Sequence, residues 1–270
     1  MTLLVDVGNS AIKWVQLSAK GRLLSAQVQL HRGVDNLAAQ LTDRWRGNVT
    51  RDAPVVACNV AEAEVVAAVE DAARMSQLQA VRWLRSQRSF DGPIALANGY
   101  RNPAQLGADR WHCMLGACSE SNPDVTRSLV VVNAGTATTI DCVDAGAEGA
   151  RQKRFVGKFV GGVIAPGVRL MLESLALRTA GLPNADIGLS EHVADFPDNT
   201  EAAIVTGVLD AQAGLVYQIW HRFAKHFKVE PRLILTGGYA EALCARLSMP
   251  ADIEHNLVLR GLALRAQFDL

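Results

Sequence analysis

The chain has 270 residues, 49% of them hydrophobic and 20% charged, which is enough for one large domain or two ordinary ones around a substantial core. Lys plus Arg and Asp plus Glu are both 27, so the formal net charge is zero. No overall field draws such a chain to nucleic acid or to an anionic membrane, and neither is expected as a partner.

In chain order, "TLLVDV", "IKWVQLS" and "RLLSAQVQL" are β-rich segments separated by the glycine-containing turns "GNS" and "AKG", the pattern of a meander. "VDNLAAQLTDRW" follows with apolar residues at helical spacing. "PVVACNV" is a short aliphatic strand, and "EAEVVAAVEDAARM" is a helix. The basic "VRWLRSQR" reads as a solvated helix or strand edge. "PAQLGADRWHCMLGACS" predicts one helix with Pro103 in its first turn, and the turn-rich "SNPDVTRS" is a candidate lobe boundary.

The second half restarts the same order. "LVVVNAG", "TATTIDCV" and "FVGKFVGGVIA" are strand-like, and "GVRLMLESLALRTAG" is a helix ending at Gly181, with Pro183 beyond it. A long helix covers "TEAAIVTGVLDAQAGLVYQIWHRFAKHF", "RLILTGG" is a buried strand meeting a glycine turn, and "YAEALCARL" is a helix. Strands followed by helices, twice over, predict two α/β lobes of related design.

Five cysteines, at 58, 113, 118, 142 and 244, form no CxxC pair and read as reduced, packed thiols in a cytoplasm. The six histidines include no HExxH or close ligand pair, which argues against a zinc site. Asp6 interrupts the first apolar run too early for a signal peptide, and no stretch approaches the roughly 18 apolar residues of a membrane span.

The chemistry concentrates in three turns. In "DVGNS" a buried strand ends on Asp6 and turns through Gly8, presenting backbone N–H groups that suit phosphate. Gly8 allows close approach, Asn9 and Ser10 can donate, Asp6 can hold a hydrated Mg²⁺, and Lys13 can neutralise phosphate charge. Taken singly this is also an ordinary hairpin. "NAGTATTID" offers a second set of amides and hydroxyls from Gly135, Thr136 and Thr139, and "LTGGYAEAL" a glycine turn at a helix start for adenine or ribose. Two such hairpins across a cleft would grip a triphosphate; GxxxxGK[ST] is lacking and no GxGxxG follows the first strand.

With "DVGNS", "GYRNPAQLGADR", "NAGTATTID", "GGVIAPGVRLMLESLALRTAGLP", "NTEAAIVTG" and "LTGG" in this order, the chain resembles the acetate and sugar kinase, heat-shock and actin superfamily, and within it the type III pantothenate kinases. The resemblance implies a two-lobed α/β actin-like ATPase fold with duplicated ribonuclease-H-like lobes, taken as residues 1–118 and 119–270. It implies transfer of the γ-phosphoryl group of ATP to pantothenate, the first step towards coenzyme A, with ATP in the cleft between the lobes. Asp6, Val7, Gly8, Asn9, Ser10, Ala11, Ile12, Lys13 and Thr136 would bind ATP with Mg²⁺.

"GADR" resembles the pantothenate loop, making Asp109 the general base, a role that in-line phosphoryl transfer requires; Gly107, Ala108 and Arg110 would contact the substrate. The plain alternative for Asp109 is a salt bridge with Arg110 or Arg101 on a helix surface. Tyr100 resembles an aromatic of the same pocket, although alone it would pass as core packing. Thr179 in "LRTAGLP" resembles a threonine that reaches the pantothenate of a neighbouring subunit, which implies a homodimer. The apolar circumference of that helix fits a partner or a core. Where the family carries an aspartate associated with a monovalent cation, K⁺ or NH₄⁺, this chain has Asn133. A sugar or acetate kinase, or a non-catalytic regulatory accessory factor keeping the fold, are the alternatives.

Overall fold

The computed structural model describes residues 1–119, 127–146, 154–179, 181–183, 185 and 194–268. Most of the "SNPDVTRS" segment lies outside them. The chain divides into two compact units: Met1–Thr126 with Ala147–Phe159 and Asn256–Leu270, and Arg127–Gly146 with Val160–His255. This division departs from a single cut after residue 118, because the segment before Phe159 and the C-terminal segment both join the first unit.

In the first unit, β1 (Thr2–Val7), β2 (Ala11–Leu17), β3 (Gln27–Leu30), β4 (Val55–Asn59) and β5 (Val81–Trp83) form a sheet of order β3-β2-β1-β4-β5. β1 and β2 make an antiparallel hairpin, while β4 and β5 run parallel to β1 and β4. The crossovers are α1 (Leu37–Trp45) and α2 (Ala63–Met75). Strand alternation decides what each face meets. Leu3, Val5, Val7, Ile12, Val55 and Ala57 pack with Leu41, Trp45 and Val69 of α1 and α2, and Trp14 meets Trp45 edge-on at 6.1 Å. The opposite face carries Leu4, Asp6, Val56 and Cys58.

That second face is covered by α3 (Ala108–Cys118) and by a helix at Leu257–Phe268, which packs on β1, β2 and β4. The two helices touch backbone to backbone. A methyl group at Gly116 would collide with the Leu257 carbonyl, and one at Gly261 with the His112 carbonyl. The expected helix from Pro103 is broken. Asn102 caps a single 3₁₀ turn at Pro103–Gln105, Leu106 (φ −72°, ψ 129°) and Gly107 (φ −54°, ψ 137°) are extended, and α3 restarts at Ala108. Asp109 therefore lies in the first turn of a helix. An antiparallel hairpin, β6 (Ser89–Asp91) and β7 (Ala95–Asn98), completes the unit; β7 pairs in parallel with Val156–Phe159, the start of β10 (Val156–Pro166).

The second unit repeats the design. β8 (Leu129–Ala134) and β9 (Ala137–Asp144) are an antiparallel hairpin, and β11 (Arg232–Thr236) and β12 (Asp252–Ile253) run parallel on the other side of β8. With the remainder of β10 beside β9, the order is β10-β9-β8-β11-β12, the same as in the first unit when the strands are matched in sequence. The core is built by Val130, Val132, Ile140, Leu233 and Leu235 against Val216, Ile219 and Phe223. Those three belong to the long helix Thr200–Phe227, capped by Asn199, whose side chain accepts the Ala202 N–H at 2.9 Å. This helix alone among the described ones is long and apolar enough to cross a membrane, and 56% of its most apolar window is buried inside the fold.

In order, the helices of this unit are α4 (Val168–Arg178), α5 (Thr200–Phe227) and α6 (Ala240–Cys244), and α7 is Leu257–Phe268. α4 stops at Arg178 rather than reaching Gly181: Thr179 turns extended (φ −127°, ψ 140°), and its hydroxyl donates to the Leu175 carbonyl at 2.6 Å. α6 is shorter than its sequence suggests, ending in tight turns closed by Arg246 N–H to Leu243 O and Leu247 N–H to Cys244 O. All five cysteines are free thiols, and all but Cys244 are buried.

Candidate functional site

The hairpin register builds the first half of the site. Asp6 stands opposite Lys13 on β2 and Cys58 on β4, and opposed residues share a face. A carboxylate, an ammonium and a thiol thus form a row on the face covered by α3. Cys58 donates to Asp6 Oδ1 at 3.6 Å. Burial pushes the Asp6 carboxyl up to about 6, Lys13 opposes that shift, and Asp109 adds to it. The Cys58 thiol is raised by burial first and then by the charges of Asp6 and Asp109. Cys58 carried no site signal in the sequence, because only the parallel pairing of β4 with β1 brings it beside Asp6.

The turn itself is tied down through its carbonyls. Gly8 O accepts from His31 Nε2 at 2.8 Å, Ser10 O from the His31 N–H at 3.2 Å, and Asn9 O from Arg32 Nε at 3.4 Å. Gly8 N–H closes the turn on Ala11 O at 3.0 Å. His31 and Arg32 thus brace the loop by donating to three of its carbonyls. Val7 and Ile12 are core residues, so only their backbone can serve a ligand.

The loop at residues 107–110 opens α3, which covers this face. Asp109 Oδ1 accepts the Arg110 N–H at 2.8 Å. Burial raises the Asp109 carboxyl, against the lowering effect of the Arg110 amide and guanidinium. Arg110 is buried, its Nη1 donating to Tyr100 Oη at 3.1 Å. Its guanidinium lies 5.8 Å from the Tyr100 ring centre and 5.9 Å from that of Phe159, within cation–π range. Tyr100 and Phe159 pack at 5.2 Å, and the Tyr100 N–H is held by Asn98 Oδ1 at 3.1 Å. Phe159 has no cue in the sequence, since β7 and β10 lie some sixty residues apart and meet only through tertiary pairing. Gly107 and Ala108 line an open groove of about 690 Å³, with Asn59, Trp83 and Gln105 on its other walls.

In the second unit, Asn133 stands opposite Thr139 on β9 and Thr236 on β11. Its Oδ1 faces the Gly237 turn (φ +100°), where a methyl group would come within 2.8 Å of it; only glycine accepts that conformation and that proximity. The hairpin tip closes with Gly135 N–H to Ala137 O at 3.2 Å, and Gly167 N–H donates to Thr136 O at 3.1 Å. Thr139 and Asp141 are buried on the same face as Asn133. The structure thus gathers Asn133, Gly135, Thr136, Thr139 and the "LTGG" turn. Thr179 is not brought into this cluster: it is exposed at the end of α4, near an apolar groove of about 500 Å³ lined by Met171, Leu175, Leu182, Ile204 and Val208. Leu177 and Ile164 are also exposed, at 81% and 64%.

The sequence model of the type III pantothenate kinase family matches residues 2–222. A type III pantothenate kinase of Cupriavidus taiwanensis is 36% identical over 292 aligned residues, covering 99% of this chain and 98% of its own. One from Burkholderia mallei is 34% identical, covering 98% and 99%. Among solved structures, a conserved putative Baf family transcriptional activator from Campylobacter jejuni superposes with a TM-score of 0.55 at 17% identity, over 99% of this chain and 100% of the other. A putative 2-dehydro-3-deoxygalactonokinase from Sinorhizobium meliloti gives 0.54 at 13% identity, over the whole of both chains. At these identities the two structures speak for the fold alone.

Proposed function

The chain belongs to the type III pantothenate kinase family, whose members phosphorylate pantothenate with ATP on the way to coenzyme A, and from that premise we propose a role for each residue gathered above. The observation that carries the reading is the placement of Asp109, in the first turn of α3, the helix packed on the sheet face that carries Asp6, Lys13 and Cys58. Asp109 accepts the proton of the attacking hydroxyl and aims its oxygen in line with the γ-phosphorus. Arg110, fixed between Tyr100 and Phe159, supplies a positive charge for an anionic substrate, and Gly107 and Ala108 form the adjoining wall.

The β1–β2 turn, from Asp6 to Lys13, binds phosphate through its amides, with Lys13 neutralising charge. In the second unit, Thr136 and the Gly237 turn offer a hydroxyl and bare backbone of a kind suited to a nucleotide. Asp6 fits a hydrated Mg²⁺: it is a single carboxylate near the end of β1 that accepts a weak hydrogen bond from a thiol, and Mg²⁺ keeps most of its waters when held by one carboxylate and substrate phosphates. Bound there, the metal would offset the charge that develops on the phosphoryl oxygens. Asn133 is the position for K⁺ or NH₄⁺. The enzyme acts in the cytoplasm.

The raised Asp6 carboxyl gives this reading a pH signature. Burial disfavours the charged form, so Asp6 is neutral below about pH 6 and charged above it. Mg²⁺ needs the charged form. Equilibrium binding of a magnesium-loaded, non-hydrolysable ATP analogue should therefore strengthen as pH rises from 5 to 7, and Asp6→Asn should bind weakly without that step. An identical pH dependence in both proteins would remove Asp6 from the metal site.

A homodimer is proposed from α4. Of its eleven residues only Val168 and Leu172 are buried, and exposed Leu177 and Ile164, with the apolar groove, leave more hydrophobic surface than a solvated helix needs. Thr179 of one copy would complete the pantothenate pocket of the other. Sedimentation should show twice the chain mass. Leu177→Glu should give monomers without activity, and Thr179→Ala should raise KM for pantothenate by roughly 2- to 10-fold, the worth of one hydrogen bond. A fully active monomer would sink the shared pocket.

A further inference from the structure

Gly107 precedes α3 with φ −54° and ψ 137°, a conformation open to any L-residue. Its backbone therefore does not require glycine. What a side chain would meet there is one atom: a methyl group would lie 2.6 Å from Asp109 Oδ1, while the next nearest atoms, Asp109 Cγ at 3.8 Å and Arg110 Cδ at 3.9 Å, stand at ordinary contact distance. The same Oδ1 accepts the Arg110 N–H at 2.8 Å. The carboxylate is thus folded back over the bare Cα of Gly107, one oxygen engaged by the helix's own amide and Oδ2 not committed to that bond.

We infer that Gly107 is a positioning residue for Asp109: the missing side chain is the space into which Oδ1 turns, and this presents Oδ2 to the substrate hydroxyl. A methyl group at this position forces the carboxylate to rotate about its Cα–Cβ bond, which breaks the Arg110 N–H bond and swings Oδ2 away from the proton it must take. Displacement of a reacting group by about 1 Å can cost on the order of 10² in rate. The inference rests on Asp109 being the base and differs from a substrate contact by Gly107, which would act on binding.

Gly107→Ala is therefore expected to lower kcat about 10- to 100-fold with KM for pantothenate and binding of magnesium-loaded ATP within about two-fold of the natural protein. The acid limb of its pH profile should move to higher pH, because the Arg110 amide, which lowers the Asp109 carboxyl, is lost. In an Asp109→Asn background Gly107→Ala should add no further loss, as for two residues acting through one group. If Gly107→Ala folds poorly, the melting temperature decides instead: the substitution should lower Tm when Asp109 is present and leave it unchanged beside Asp109→Ala, where no carboxylate is displaced. A raised KM at unchanged kcat, additive losses in the double variant, or an equal Tm cost in both backgrounds would each overturn the inference. An inactive Asp109→Asn with a fully active Gly107→Ala overturns this inference alone, whereas a fully active Asp109→Asn overturns the base assignment beneath it.

Discussion

Asp109→Asn should cut turnover of pantothenate by about 10² to 10⁴, the range for loss of a positioned general base, while binding of magnesium-loaded ATP stays within about two-fold. Asparagine is nearly isosteric and keeps the oxygen that accepts the Arg110 N–H, so the helix start and the substrate loop should be preserved. What disappears is the ability to take a proton. The natural carboxyl is raised by burial, so the charged form is held at some cost to the fold; a neutral amide there should leave thermal stability unchanged or higher at neutral pH. Loss of activity with undiminished stability is thus the pairing expected of a catalytic group. Coupled ADP release, calorimetric ATP binding and a thermal melt together decide it. Near-natural turnover would remove Asp109 from the chemistry, and lost ATP binding would place it on the nucleotide instead. Sugars and acetate in the same assay should give no turnover.

The parts of this site that were legible in the sequence are those set by local pattern. Aliphatic runs in "TLLVDV" and "LVVVNAG", closed by glycine turns, mark both hairpins and the strand ends on which Asp6 and Asn133 sit. The duplicated sheet order follows from the same signals repeated. What was not legible depends on partners distant in sequence. α7 reads poorly as a surface helix because nearly its whole circumference is buried and Gly261 interrupts it; that glycine is needed where the backbone of α3 passes. Periodicity carried "PAQLGADR" through as one helix, whereas Asn102 and the extended Leu106 and Gly107 stop it and place Asp109 in a first turn. Phe159 and Cys58 enter the site only through sheet pairing. The joining of the start of β10 and of the C-terminal helix to the first unit comes from pairing with β7 and packing on β1, β2 and β4, which no linker signal announces.

Asn133→Asp should tighten activation by K⁺ roughly five-fold to a thousand-fold. A full negative charge in place of an amide adds about 1 to 4 kcal/mol of attraction to a cation at about 4 Å, as the effective dielectric falls from about 80 to about 20. The side chain is placed to act on such an ion. It lies at the end of β8, partly exposed, its Oδ1 turned towards the Gly237 turn and 3.6 Å from where a methyl group on Gly135 would sit. Its amide oxygen can still coordinate, so the natural protein should respond to K⁺ or NH₄⁺ but need more of it than the variant. A competing source of charge is present: Asp141 is buried on the same face, two positions along β9 from Thr139, which opposes Asn133. If Asp141, or the ATP phosphates, already neutralise the cation, the new carboxylate gains nothing and adds repulsion against nucleotide. The two cases separate in one titration of activity against K⁺ at saturating ATP, run on the natural protein and on Asn133→Asp. A fall in the half-saturating K⁺ concentration with an unchanged KM for ATP supports Asn133 as a cation ligand. Equal half-saturation in the two proteins means that Asn133 does not face the cation, and a raised KM for ATP alone means that it faces the phosphates.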